Sequence, residues 1–435
     1  MSSRRVDVKS VLNRAGLAMA LLLLGSFSLA ATELFSQLPP DTSDVRRQVR
    51  DIAFASLDLL WKADAVVHRS RNSGERARFS VESNRDYMYA LVAPERNGAY
   101  PVDTAGTYVL RRDRRNGSVS QIKIFLRSHP GFFARVRPVS GESSEMSVVL
   151  AGVEIHRRVP VPLAIERVFE LPLDELFSVT SRQVDWARFY PETSDRRHQI
   201  TRLVTERARA SLHTLPDAED GAMNERGELV RIETLALADQ EPGFNCSGFA
   251  KWIVDGLYGG RYGSFLPIEP LKEKHLEYRG NEQTRRYEEL RDPFFGLDWT
   301  RNLAVAVRHE PGRAWEGSPE QADVRSVRYV DYLEDFGYPV SHLPLVLFEL
   351  AALEPGHAYL ASFSRDFGSN PTLQQHVHVA VLFPYFDSAG RFRTVVMERN
   401  VETSLASVDR RYRDAFVHLV RVELSESFTP PVIHY

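Results

Sequence analysis

The sequence predicts an α+β protein in two parts, a β-sandwich-like domain followed by a mixed helix-and-strand domain. Three observations predict it. Between residues 76 and 185, short β-branched and aromatic runs alternate with turn residues. From about residue 190, apolar residues recur at helical spacing, most strongly after Cys246. Beyond residue 354, strand patterns return. The chain has 435 residues, with 55 basic against 58 acidic side chains, a net charge of −3 and 43% hydrophobic residues. These are the values of a globular chain long enough for two or three domains, and they argue against a disordered or multi-span membrane chain. The near-neutral balance gives no basis for nucleic acid as a partner, because neutralising a phosphate backbone needs a basic surface. Cys246 is the single cysteine, so neither an internal disulfide nor a cysteine-based zinc site is available.

The elements follow in order. Arg4, Arg5, Lys9 and Arg14 precede an uncharged run over residues 15–31, with small residues Ser28 and Ala30 at its end. This is the pattern of a secretory signal peptide over residues 1–30, with the mature chain starting at Ala31 and placed in the periplasm or outside the cell. The alternative is an inner-membrane anchor formed by residues 15–31, and no membrane span is expected after signal removal. Residues 31–75 read as a linker containing Pro39-Pro40, then a helix from Asp44 to about His68 carrying Val45, Val49, Ile52, Leu57 and Leu60. Seven strands are expected at 87–92, 107–112, 118–126, 132–137, 146–150, 153–157 and 167–171, with Asn116-Gly117 as a hairpin turn. Pro160 and Pro162 confine their segment to an edge or a connector, because proline donates nothing to a ladder. Nothing in residues 76–185 reads as a catalytic motif, and a binding or spacer role is expected.

The second domain is expected over residues 190–430. The run Thr193-Ser194-Asp195 is expected to cap a helix holding Ile200, Leu203, Val204 and Leu212, and residues 214–227 form a polar loop. A helix runs from Cys246 to Leu257 and ends at Gly259-Gly260. A long insertion occupies about 258–353, with Arg285-Arg286-Tyr287 and Phe294-Phe295-Gly296 within it. Strands are expected at 358–363, 376–383 and 392–398, followed by a last one at 416–424.

The chemistry concentrates at Cys246. Asn245 is a helix-capping residue type, and Phe249, Trp252, Ile253 and Leu257 form one apolar stripe. That places Cys246 in the first turn of a buried helix, where the helix dipole favours thiolate over thiol. Ser247 and Gly248 are small, so a substrate is expected to approach the backbone there. The alternative is a small buried residue that packs the helix start. On the strand at 376–383, alternation puts His376, His378, Ala380 and Leu382 on one face. A strand histidine facing a helix N-terminus is an arrangement suited to nucleophilic catalysis by cysteine.

These residues resemble a family. The run Gly243-Phe244-Asn245-Cys246-Ser247-Gly248-Phe249, followed by Trp252, is similar to the signature of the NlpC-type papain-like cysteine peptidases of bacterial cell walls, with Asn245 where the family has Asp. Glu354-Pro355-Gly356 and His378-Val379-Ala380-Val381-Leu382 resemble its two downstream pieces, with Ala380 for Gly. The resemblance covers roughly residues 195–425 and none of the β-rich part. It departs from the family in lacking a tyrosine and a Gly-Gly turn shortly before the cysteine. It implies a papain-like cysteine hydrolase domain, with Cys246 as nucleophile and His378 rather than His376 as general base. The third residue is then Glu398, opposite His378 across a hairpin centred near Ser388, or Asn400, one strand pair further on. The implied activity is cleavage of amide bonds in peptidoglycan stem peptides, with peptidoglycan or a peptide as the partner. An acyl or amide transferase on the same fold and a catalytically idle envelope-binding protein are the alternatives. No cofactor is called for. His376 and His378 as a metal pair lack a supporting HExxH or cysteine motif, and Arg111-Arg112 with Arg114-Arg115 reads as a solvated hairpin end.

Overall fold

A computed structural model describes residues 38–275, 292, 294–313, 317–334, 336–367 and 373–434. The export segment with its expected cleavage after Ala30, and the Arg285-Arg286-Tyr287 run, lie outside the described residues. The chain divides into two compact units, Met1–Pro191 and Glu192–Tyr435. Residues 38–75, read from composition as a linker with a helix, belong to the first unit.

In the first unit, helix α1 (Ser43–Ala53) is followed by a short α2 (Leu57–Trp61). The expected single helix to His68 breaks at Phe54, and Val66-Val67, β-branched, opens strand β1 (Val66–Arg69) instead. The strands continue as β2 (Arg76–Ser83), β3 (Tyr87–Pro94), β4 (Tyr108–Asp113), β5 (Val119–Phe125), β6 (Phe133–Pro138), β7 (Ser144–Leu150) and β8 (Val153–Val161). Their spatial order is their chain order, every pair antiparallel. This corrects the β-sandwich expectation, since a sandwich divides its strands between two sheets and these eight form one. The reason is the connections: short turns such as Asn116-Gly117, with Gly117 at φ +73°, pair each strand with its neighbour. Pro160 lies in β8, an edge strand, as its missing N–H requires.

The segment at 167–171, expected as a strand, is part of helix α3 (Ile165–Glu170). Ile165, Val168 and Phe169 fall at helical spacing and are buried, while Glu166 and Arg167 are not. Helix α4 (Leu173–Thr180) follows. One face of the sheet is covered by α1 and α3. Arg46 of α1 is fully buried there and donates to the carbonyls of Phe169 (2.7 Å) and Leu171 (2.6 Å) and to Thr42 Oγ1 (2.9 Å), with Tyr108 stacked under its guanidinium. Those bonds are what permit a buried cation.

The second unit opens with α5 (Arg196–Ser211), capped by Asp195 through the Arg197 N–H, then the two-residue strands β9 (Ala222–Met223) and β10 (Leu229–Val230). Helix α6 (Cys246–Tyr262) ends at Gly263, which takes φ +72°. Next come α7 (Phe295–Ala306), β11 (Tyr338–Pro339), α8 (Leu343–Leu353), β12 (His357–Phe367), β13 (Leu373–Phe386), β14 (Phe392–Glu398), β15 (Val401–Thr403), α9 (Leu405–Tyr412) and β16 (Phe416–Glu423). The sheet runs β11-β16-β12-β13-β14-β15 and is antiparallel throughout. One face packs on α5, α6 and α7 through Leu360, Val379, Val381 and Val420. On the other, Phe348 of α8 meets Phe386 and Phe392 edge-on. Helix α7 lies inside the stretch read as an insertion, yet Trp299 and Leu303 are fully buried in the main core. That part of 258–353 is therefore core and not peripheral. Among the described residues no helix is long and apolar enough to cross a membrane.

Candidate active site

Cys246 is the first residue of α6. Asn245 caps the helix, its Oδ1 accepting from the Gly248 N–H at 2.8 Å, and its own N–H donates to Gly221 O at 3.1 Å. The N–H groups of Cys246 and Ser247 have no acceptor within the helix, as first-turn donors never do. Cys246 as a residue is partly exposed. Ser247 and Gly248 are small for a reason other than substrate access. A Cβ on Gly248 would stand 1.9 Å from Gly221 O, and Ser247 is buried with its carbonyl held by Trp299 Nε1 at 2.9 Å. Packing against protein therefore accounts for the small size of both residues.

His378 lies on β13 where the strand is irregular. The β12–β13 pairing steps from Ser364↔His376 to Phe363↔His378, leaving Val377 as an extra residue. A bulge of this kind breaks the alternation of faces. His376 therefore does not share a face with His378, as strict alternation had suggested. His376 is buried, its Nδ1 2.9 Å from Ser362 Oγ and its ring 5.4 Å from that of His418. His378 points the other way, stacked on Tyr412 (5.8 Å, 13°) and beside Phe363. Two histidines on opposite faces cannot form one metal pair. Among the described residues no cluster of three or more His, Cys, Asp or Glu is arranged to hold a metal ion.

Glu398 Oε1 stands 3.7 Å from His378 Nε2. At that distance the carboxylate is a charge partner and not a direct hydrogen-bond acceptor. Glu398 is 5% exposed and is held by Arg411, whose Nη2 lies 2.6 Å from both oxygens. The hairpin register differs from the expected one. Phe386↔Phe392 centres it on Ala389, so Glu398 extends the register opposite Ala380 and reaches His378 diagonally. Asn400 would be directly opposite, but Arg399 turns the chain with φ +53°. Asn400 instead donates to Leu215 O at 3.0 Å, and the structure does not bring it to the histidine.

The charges reinforce one another. Burial alone would raise the Cys246 thiol, but His378 beside it, the Val379 N–H and the charge of Arg399 together bring it below the ordinary value. Burial would lower His378, but the neighbouring sulfur and Glu398 carry it up to about 9. Glu398 is likewise pushed up by burial and brought below its ordinary value by His378 and Arg411. The three groups thus favour a thiolate–imidazolium pair with a carboxylate behind it. Arg411 and Tyr412, in the last turn of α9, were missed by sequence reasoning. Their only sequence signal is a cap at Ser404 followed by a short amphipathic run.

Residues 35–188 match the family described as a domain of unknown function (DUF8515), which covers less than half of the chain and none of the Cys246 site. No curated protein matches the chain. No solved structure matches it.

Proposed function

We propose that the second unit is a cysteine hydrolase that cleaves amide bonds in peptidoglycan stem peptides, in an exported protein. The observation that carries the reading is His378 set between Cys246 and Glu398, with the thiol at a helix N-terminus. The peptidoglycan substrate and the export rest on the resemblance and on the signal pattern of residues 1–30.

In this mechanism the Cys246 thiolate attacks the amide carbonyl carbon. The oxyanion that forms is met by the first-turn N–H groups of α6, including that of Cys246. The C–N bond breaks as the His378 imidazolium protonates the leaving amine, giving a thioester. His378, now neutral, takes a proton from water, whose hydroxide attacks the thioester, and the thiolate is restored with the imidazolium. Glu398 keeps the ring oriented and offsets its positive charge, and Arg411 keeps Glu398 ionised.

The test is incubation of purified peptidoglycan with the full chain and with Cys246→Ala, reading the released fragments by mass. The expected result is new amine termini in stem peptides, lost in Cys246→Ala. Release of the amine fragment with the acyl group retained on Cys246 or passed to an added amine, and no free carboxyl product, would assign the site to a transferase, and identical digests would leave it without hydrolase activity.

A further inference from the structure

The face of the eight-stranded sheet turned away from α1 and α3 carries an unusual charge arrangement. The register aligns Val109, Lys123, Arg135 and Ser147 in one row across β4 to β7. Lys123 and Arg135 are therefore directly opposed, and like charges in that position destabilise a sheet. Arg111 lies two residues along β4 from Val109, on the same face. Beneath the cations is a small apolar cluster containing Phe125, Phe133 and Val149, separate from the helix-covered face. Lys123 Nζ sits 3.8 Å from the Phe133 ring centroid and 4.5 Å from that of Phe125, and the Arg135 guanidinium sits 5.4 Å from Phe133.

The nearby carboxylates offset these cations only in part. Glu154, opposite Val149, is ion-paired with Arg157 at 2.5 Å and also acts on Arg135 through its charge, and Glu145 stands opposite Arg137. Among the described residues, none of Arg111, Lys123 and Arg135 is in an ion pair, and Arg135 Nε is buried with no acceptor. Burial and the charge of Arg135 hold Lys123 below its ordinary value. Rings give these cations some compensation, but a ring face does not neutralise three of them. Desolvation by the phenylalanine floor makes any anion placed among them bind more strongly than at an open surface. The cations are half-buried and not protruding, which suits a small ligand that enters and not a flat surface.

We propose that Lys123, Arg135 and Arg111 form a binding site for a soluble ligand bearing two or more phosphate or carboxylate charges. The site is in the first unit, and its argument does not depend on the chemistry of Cys246.

The experiment uses the full chain, with pyrophosphate and citrate as probes in titration calorimetry and thermal unfolding. Wild type is expected to bind a probe and to unfold at a higher temperature in its presence. Lys123→Gln and Arg135→Gln are expected to weaken binding by roughly tenfold to a hundredfold, the scale of one charge-assisted contact. Without probe, each variant should unfold at a higher temperature than wild type, because the opposed charges are gone. Absence of binding to wild type, or equal binding to wild type and both variants, overturns the proposal. A lower unfolding temperature in both variants assigns the cations to cohesion of the sheet and overturns it too. So does sedimentation with phosphatidylglycerol vesicles that is lost in Lys123→Gln, which would assign the face to a lipid surface.

Discussion

Glu398 meets His378 on a diagonal, and this decides which substitutions discriminate. If the thiolate–imidazolium pair operates, kcat/KM rises with pH through the lowered Cys246 value. It falls again as His378 loses its proton at about 9, because the neutral ring has no proton for the leaving amine. Iodoacetamide alkylation should show the acidic limb alone, with a midpoint below about 8.5, the free-thiol value. Glu398→Gln removes the negative charge behind the ring, so the alkaline limb moves down from about 9 and the alkylation midpoint moves up. Asn400→Ala should leave both limbs in place, since its side chain holds Leu215 O. His378→Ala should cost roughly two orders of magnitude or more in turnover, and His376→Ala much less. The helix start at Cys246 and its Asn245 cap were legible because each depends on a few adjacent residues. The faces of the two histidines were not. They depend on Val377, one extra residue in the β12–β13 ladder, and an alternating pattern read along one strand does not show where its pairing slips.

At the scale of the element, helix α6 was legible from its cap and apolar stripe, and it hides an ion pair that the stripe does not announce. Lys251 and Asp255 are both fully buried one turn apart, with Nζ 2.6 Å from Oδ2, and Asp255 Oδ1 accepts from the Leu266 N–H at 2.9 Å. Burial pushes Asp255 up to about 6 even though Lys251 and the Leu266 N–H oppose it. Lys251→Met strands a buried carboxylate and is expected to destabilise the protein by about 3–5 kcal/mol in denaturant unfolding. Lys251→Met with Asp255→Asn removes both charges and keeps the acceptor for Leu266. It should recover most of that loss, and a double variant no better than the single one would refute the pairing argument. The hairpin after β13 was expected to centre near Ser388, between strands read at 376–383 and 392–398. The strand in fact runs on to Phe386, and Asp387 Oδ1 accepts from the Ala389 and Arg391 N–H groups to close the turn. The Pro384 carbonyl side still serves the sheet, so proline alone was a poor marker of the strand end.

For the whole molecule, the two units each hold their own core. A chain beginning at Glu192 is expected to fold and to keep the alkylation midpoint of the full chain, and loss of that midpoint in a folded fragment would show that the first unit contributes to the site. The class of each unit was legible from the period of its apolar residues. The single-sheet arrangement of the first was not, because a run of short strands fits one meander as well as two packed sheets. The two strand orders also differ in when they can be completed. The first sheet adds each strand to the one made just before it, so it can assemble hairpin by hairpin as the polypeptide is delivered N-terminus first. In the second, β16 lies between β11 and β12, and that sheet waits for residues 416–423, far downstream of α6. Cys246 is delivered long before then. If His378 is the base, the nascent thiol has no fixed partner until β16 arrives to complete the scaffold, and activation is deferred until that strand pairs.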